Sequence, residues 1–252
     1  MSQPTIRKQK IRRSSVKARL IVFGTLAVLL ILFSIFSEQL TPYDPYLQDL
    51  SNAKAPPSQE HLLGTDRYGR DMLSRVIVGS RTSIFSTLLL VAVITVFGTA
   101  VGVFCGWSGR WMDTVLMRIS DMFLAFPGLV FALAVAGSMG GGLQNAIIAL
   151  AAISWPKYAR IARSQTLAQK ETVWMKAAKL SGNSTGKLIF KHILPNIIGP
   201  ILVTAMLDIG TMMMELAALS FLELGAKAPI AEWGSMMSDT RSLMTTSPWI
   251  TF

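Results

Sequence analysis

Cysteine, histidine and charged residues are all scarce in this chain of 252 residues. A single cysteine, Cys105, excludes a disulfide framework and any multi-cysteine metal site. Two histidines, His61 and His192, argue against a histidine-rich zinc site. Only 15% of the residues are charged, against about 25% in soluble domains, which argues against a soluble enzyme. The phosphate-binding pattern G-x-x-x-x-G-K-[ST] does not occur, so a P-loop nucleotide site is excluded as well.

Apolar residues are abundant and lie in long runs without charge. They make up 51% of the chain, and the mean hydropathy is +0.47. The net charge of +10 suits a cytoplasmic membrane face better than nucleic acid, because basic loops stay inside. The sequence therefore predicts an all-α, polytopic transmembrane helical bundle, surrounded by membrane lipid and without nucleic acid.

The N-terminal segment combines a basic stretch with the first apolar run. Residues 1–19 contain seven Lys and Arg residues and no acid, and residues 20–37 carry no charge. A cleaved signal peptide is one interpretation of this pattern. The run is longer than a usual signal core, however, and no small-x-small cleavage site follows it. We therefore predict a cytoplasmic N-terminus on residues 1–19 and a first transmembrane helix on residues 20–37.

Residues 38–81 are polar, contain four prolines and carry charges of both signs, as expected of an external loop. Near the end of this loop, apolar residues at helical spacing (Met72, Val76 and Ile77) predict a short surface helix that leads into the next span. Residues 82–252 are predicted to form the core of the protein.

Four further spans are predicted within that core. Residues 82–109 carry no charge and form the second. The uncharged run 122–156 is too long for one crossing, and Gly140, Gly141 and Gly142 interrupt it. We therefore expect two helices, at about 113–139 and 143–163, joined by an external glycine hairpin. Residues 193–222 form the fifth span.

The loop between the fourth and fifth spans is strongly basic. Residues 157–191 contain eight Lys and Arg residues and one acid, Glu171, which predicts a cytoplasmic location. Within it the residues indicate a helix with Ala177 and Ala178, a turn at Gly182, and a second amphipathic helix that stops at Pro195. Such a knob fits a groove on a partner. A solvated basic loop is the alternative.

The spacing of this loop resembles the coupling-loop signature of ABC importer permeases, and the resemblance places that loop at about residues 164–192. The matching positions are Ala177, Ala178, Gly182, His192, Leu194 and Pro195. The family usually has Glu where this chain has Lys176, so the charge at that position is reversed.

Many other segments, in the same order, resemble the dipeptide/oligopeptide/nickel permease family. They are Tyr43-Asp44-Pro45, the run from His61 to Asp66, Gly69-Arg70-Asp71, Ser74-Arg75, Gly79-x-Arg81-x-Ser83, Phe126-Pro127, Arg160-x-x-Arg163, the run from Leu219 to Gly225, and Glu232-Trp233-Gly234. A further segment, Leu207 to Met213, looks most like the nickel-type second permease because it contains an acid that peptide permeases commonly lack.

The resemblance implies a non-catalytic membrane subunit with the type I importer fold and no cofactor. Its expected partners are a second permease, two ATP-binding subunits that hydrolyse ATP, and an external solute-binding protein, in a bacterial plasma membrane. The family has six helices, so with five spans predicted before Phe252 the sixth is expected to be missing. Nickel or a metal chelate is the first expected cargo, and di- or oligopeptides are the alternative.

Two acids lie inside the fifth predicted span. Acids there are costly and usually face a bundle interior or a cavity, and Asp208 and Glu215 are seven residues apart on one helical face. With Met212 they could form a path for a divalent ion, although no metal ligand set is identified. The alternative is that the methionine fills the core and the acids pair with donors. Asp121 is expected to pair with Arg118, and His61 to hydrogen-bond within its loop.

Two other classes of membrane protein are alternatives to an importer permease. An intramembrane protease needs a nucleophile and a base at one depth, and His192 lies at the end of a span. A channel or secondary transporter would need no ATPase, and an inverted repeat, which we do not find, would favour it.

Overall fold

The computed structural model describes residues 6–250, with side-chain burial from residue 16 onward. The named elements in this part of the chain are all helices, as predicted. The first, α1, covers Ile6–Ile35 and is followed by the short α2 (Ser37–Leu40). The predicted first span thus lies at the C-terminal end of a longer helix. The basic side chains before residue 16, and residues 251–252, lie outside the described residues.

Three helical stretches are long and apolar enough to cross a membrane: Val16–Ile35, Met72–Ser108 and Thr185–Phe221. A fourth is reached if α4 (Arg110–Leu124) and α5 (Gly128–Ser138), which are bent by 90°, count as one broken span. The predicted fourth span corresponds to α6 (Leu143–Lys170), whose length of 28 residues suffices but whose polar residues lower its hydropathy. The count of five spans therefore stays a prediction.

The expected short surface helix is part of a longer one. The helix α3 runs without interruption from Met72 to Ser108, and the Asp71 side chain caps it by accepting a hydrogen bond from the Ser74 N–H at 2.8 Å. No proline interrupts this stretch, and a glycine inside a helix costs only about 1 kcal/mol, which is too little to end it. Its 37 residues span about 55 Å, which exceeds a hydrocarbon core of about 30 Å.

The prediction of a single helix over residues 113–139 is also wrong. The chain forms two helices there, α4 and α5, with a break between them. Pro127 lies at the break and has no N–H to donate, and it restricts the backbone of Phe126 before it. The glycine hairpin after α5 is confirmed: Gly140, Gly141 and Gly142 have φ of 80°, 67° and 103°, values that favour glycine.

The core lies where α3 and α6 meet the helix α9 (Leu194–Phe221). Glycines four residues apart let the backbones of α3 and α6 approach closely. A Cβ at Gly102 would lie 2.3 Å from the Ala159 carbonyl oxygen, and one at Gly98 would lie 2.5 Å from the Trp155 carbonyl oxygen. Gly106 faces Thr166 in the same way. This is the small-residue packing by which helices associate in membranes.

Two polar segments are folded against the N-terminal end of α3. In the loop before it, His61 Nδ1 lies 3.0 Å from Asp71 Oδ1, so the expected hydrogen-bonding role of His61 is confirmed. In the segment after α9, the buried Glu232 caps α10 (Trp233–Thr240) and accepts a hydrogen bond from Ser83 Oγ at 3.1 Å. The Trp233 ring N–H donates to the Val76 carbonyl at 3.1 Å, which fixes α10 on α3.

Candidate functional site: an exposed helical knob and a buried ion pair

The basic loop forms a compact knob at residues 173–193. Its first helix, α7, covers Val173–Leu180 and contains Ala177 and Ala178 as predicted. The turn at Gly182 is also confirmed, since its φ of 77° is one that side chains rarely adopt. A short α8 (Thr185–Lys187) follows and runs into a π-helical turn over Leu188–Ile193.

The predicted stop at Pro195 is wrong, because the chain continues directly into α9. Pro195 lies in the first turn of α9, directly after the π-helical turn, and proline is tolerated there although it has no N–H to donate. The wide π turn before it changes the hydrogen-bonding register ahead of the proline. The knob is thus joined to α9 by continuous helical structure.

Buried side chains attach the knob to the rest of the protein. Met175, Leu188 and Ile193 belong to the main hydrophobic core. The rings of Trp174 and His192 contact each other with centroids 5.9 Å apart, which joins the two halves of the knob. His192 therefore has a packing role within the knob.

The outer face of the knob is uncovered. Leu180 is 90% exposed and Val173 84%. Phe190, which is 73% exposed, instead lines an apolar groove with Phe104 and Leu202. Ala177 is exposed, and a Cβ built at Gly182 meets no atom within 4 Å. Four lysines of the knob are exposed as well: Lys176, Lys179, Lys187 and Lys191. Large apolar side chains with a polar rim are typical of a surface that another protein covers.

The reversed charge at position 176 is balanced inside the chain. Lys176 Nζ lies 3.1 Å from Glu171 Oε2, and both side chains are exposed. An exposed pair of this kind contributes little to stability.

Two ion pairs connect α6 to α4, and a hydrogen bond connects its end to α3. Arg163 makes two hydrogen bonds to Asp113, at 2.5 and 2.6 Å. Lys170 Nζ donates to the Trp107 carbonyl at 2.8 Å, next to the knob. Asp121 pairs with Arg160 at 2.5 Å rather than with Arg118, because α4 packs against α6 and brings a cation from the neighbouring helix closer.

Asp208 lies buried between α6 and α9, and both of its carboxylate oxygens are used. Lys157 Nζ lies 2.6 Å from one oxygen, and Tyr158 Oη donates to the other at 2.9 Å. Asp208 is 4% exposed, whereas the Lys157 side chain is 51% exposed. This is the pairing with donors that one interpretation of this acid expects, and its place in a path stays a prediction.

Met212 and Glu215, the other two residues of the expected path, have different surroundings. Met212 is 6% exposed and belongs to the hydrophobic core, as the alternative interpretation holds. Glu215 is half-buried and lies within range of the charges of Asp208 and Lys157. Among residues 6–250, no group of three or more His, Cys, Asp or Glu side chains is arranged to hold a metal ion.

Two features of the site were not predicted from the sequence. The spacing of Gly98, Gly102 and Gly106 within an apolar span is a signal for helix packing that could have been found. In the sequence, Lys157 is one charge of the basic loop among several. Its pairing with Asp208, 51 positions away, has no sequence signal because it depends on how α6 and α9 pack.

Sequence comparisons show which known proteins this chain is similar to. Residues 98–251 match the family described as binding-protein-dependent transport system inner membrane component. The chain is 41% identical to the dipeptide transport system permease protein of Alkalihalophilus pseudofirmus, over 92% of this chain and 77% of that protein. It is 41% identical to the probable D,D-dipeptide transport system permease protein of Escherichia coli K12, over 90% and 76%. Identity to the nickel transport system permease protein of that bacterium is 37%, over 94% and 84%.

Proposed function

Because this chain belongs to the family of binding-protein-dependent transport system inner membrane components, it is an ABC importer permease, and we propose that its cargo is a small peptide. The proposal joins two parts of the molecule. The knob at residues 173–193 receives motion from ATP-binding subunits, and the helices α6 and α9 carry that motion to the path of the cargo.

The uncovered small residues of the knob support the coupling role. Ala177 and Gly182 leave room for the backbone of a partner, and Leu180 beside them offers apolar area for an anchor. We propose that two ATP-binding subunits, a second permease and an external solute-binding protein complete the importer. Closure of the ATP-binding subunits then pushes the knob, rocks α9 and switches the path from outside-open to inside-open.

The occupied Asp208 carboxylate is the observation on which the peptide cargo rests. A cation path needs carboxylate oxygens that are free to coordinate the ion, whereas both oxygens of Asp208 already accept hydrogen bonds from Lys157 and Tyr158. The relatives named for dipeptide transport support the same cargo. Nickel is the second candidate, supported by the acid itself and by the nickel permease relative.

Uptake by cells that lack this gene and receive it back on a plasmid tests the cargo. We expect restored uptake of radiolabelled dialanine that requires ATP and the solute-binding protein, and no gain in uptake of nickel-63. Asp208→Asn separates the two candidates further, because it removes the charge and keeps the shape. Nickel uptake that is restored by the wild type and is lost in Asp208→Asn would overturn the peptide cargo in favour of the metal.

The proposed orientation places the N-terminus and the knob inside and residues 38–71 outside. We expect this from the excess of basic residues in 157–191. The test uses a Cys105→Ser background with single cysteines introduced by Ser58→Cys or Ser184→Cys, since both positions are exposed. A membrane-impermeant maleimide applied to intact cells should label only the cysteine at position 58. Labelling at position 184 would overturn the orientation.

A further inference from the structure

The ion pair between Lys157 and Asp208 lies at the middle of the two helices that form it. The helices α6 and α9 have 28 residues each. Fourteen residues separate Lys157 from the start of α6 and Asp208 from the start of α9, or about 21 Å along each axis. The pair therefore lies near the midpoint of both α6 and α9.

The Lys157 side chain is nevertheless half exposed at this position of α6. An ammonium group that faces hydrocarbon is costly, so charged side chains inside membranes face a bundle interior or a water-filled cavity. One of its three ammonium protons meets Asp208, and the exposure of the side chain leaves the others accessible to a ligand. The Asp208 carboxylate, which is buried and doubly bonded, holds the ammonium in place.

Polar residues continue this surface along both helices. On α6, Ser154, Lys157 and Ser164 lie at spacings of three and seven, and on α9 Asp208, Thr211 and Glu215 lie at spacings of three and four. These spacings place each set on one helical face. A polar strip of this kind within apolar helices suits a water-filled path better than lipid.

Glu215 provides the opposite charge at a useful distance. It follows Asp208 by seven residues, which is about 10 Å along the helix axis. An extended peptide advances about 3.5 Å per residue, so a tripeptide spans about 10 Å and a dipeptide about 7 Å, a difference that the long side chains of Lys157 and Glu215 can cover. Since Asp208 neutralises Lys157, Glu215 leaves this strip with one negative charge that a cargo ammonium group can balance.

We propose that Lys157 and Glu215 form a transient site in the path for a zwitterionic peptide, with Lys157 binding its carboxylate and Glu215 its ammonium group. Asp208 and Tyr158 are positioning residues that hold Lys157 toward the path. This inference rests on the peptide cargo proposed above and adds the residues that contact it.

The test is uptake of radiolabelled dialanine by the complete importer in proteoliposomes that contain ATP and are supplied with the solute-binding protein. Lys157→Gln alone would leave Asp208 buried without a cation, so the decisive variant is the double change Lys157→Gln with Asp208→Asn. Its uptake should fall about tenfold at a wild-type level of assembled complex, because it removes a charged contact with the cargo. Lys157→Arg is the matched control, keeps the cation, and should retain at least about half of the uptake.

A purely structural ion pair predicts a different pattern. In that case the neutral double variant would regain wild-type uptake, and this result would overturn the site at Lys157. Glu215→Gln should also lower the uptake several-fold, and unchanged uptake in this variant would overturn the two-ended site. If the wild-type importer moves no dialanine at all, the proposed cargo itself is wrong, which is a different result from wild-type uptake that the variants leave intact.

Discussion

Small residues have opposite surroundings in two regions of this molecule. Along α3, Gly98, Gly102 and Gly106 are pressed against the backbone of α6, so that any side chain there would collide with it. In the knob, Ala177 and Gly182 are as small, yet they face open space. In the first region the close contact forms within the chain. In the second region the open space leaves room for a similar contact with another molecule.

This contrast shows what a small residue indicates in a membrane protein. Glycine costs conformational entropy, and alanine buries little apolar area. Close packing against another backbone offsets this loss of stability. At α3 that backbone is Ala159 and its neighbours in α6. At the knob the corresponding backbone is expected in an ATP-binding subunit. Four predictions test this comparison.

The largest effect is expected from Gly102→Leu in the first region. Even a Cβ would lie 2.3 Å from the Ala159 carbonyl, so a leucine forces α3 and α6 apart. Overpacking of this kind costs roughly 1–3 kcal/mol or more, which a protein of marginal stability does not withstand. The full-length protein should largely disappear from the membrane fraction on immunoblots, and uptake should disappear with it.

Gly137→Leu is the matched control, because a Cβ at Gly137 in α5 meets no atom within 4 Å. This variant should accumulate normally. Equal amounts of the Gly102→Leu and Gly137→Leu proteins in the membrane would contradict the close contact between α3 and α6.

Gly182→Trp should abolish uptake while leaving the protein in the membrane. The bulky ring fills the space that the partner needs, and a Cβ at this position meets no atom of this chain within 4 Å. Uptake and the membrane level are measured together in the complete importer. Gly182→Asn controls for backbone strain, since asparagine tolerates a positive φ, and it should retain most of the activity. Normal uptake by the Gly182→Trp variant would show that the knob is not the coupling surface.

Two leucines of the knob separate folding from partner binding. Leu180 is 90% exposed and Leu188 is 2% exposed. Leu188→Ala should lower the free energy of unfolding by about 2–5 kcal/mol, measured as a loss of thermal stability in detergent. Leu180→Ala should leave that stability within about 0.5 kcal/mol and lower uptake several-fold. Full uptake with Leu180→Ala would exclude Leu180 from the interface.

The smallest effect is expected from Lys176→Glu, which installs the acid that the coupling-loop signature usually has. The change breaks the exposed pair with Glu171, an interaction of about 0–1 kcal/mol. Thermal stability should therefore change little, and uptake should stay within about twofold of the wild type if the shape of α7 is what the partner recognises. A loss as large as that of Gly182→Trp would instead show that the cation at position 176 contacts the partner.

Local chemistry accounts for the parts of the fold that were predicted correctly. Uncharged runs favour helices, and consecutive glycines at 140–142 favour a turn, whatever surrounds them. The break at Pro127 carried a recognisable signal, since proline ends or bends helices, but the uncharged run across it concealed the bend. The continuity at Pro195 had no such signal, because it depends on a π turn that precedes the proline.

The sequence by itself determined that this is a helical membrane protein with a basic, two-helix knob, because charge, apolar length and glycine act over a few residues. It also carried the family, through short motifs in a constant order. Only the tertiary structure decided which charges meet. Arg160 rather than Arg118 pairs with Asp121, and Lys157 pairs with Asp208. The reason is physical: in apolar surroundings a charge pairs with whichever opposite charge helix packing brings within reach, and packing joins residues that are distant in the chain.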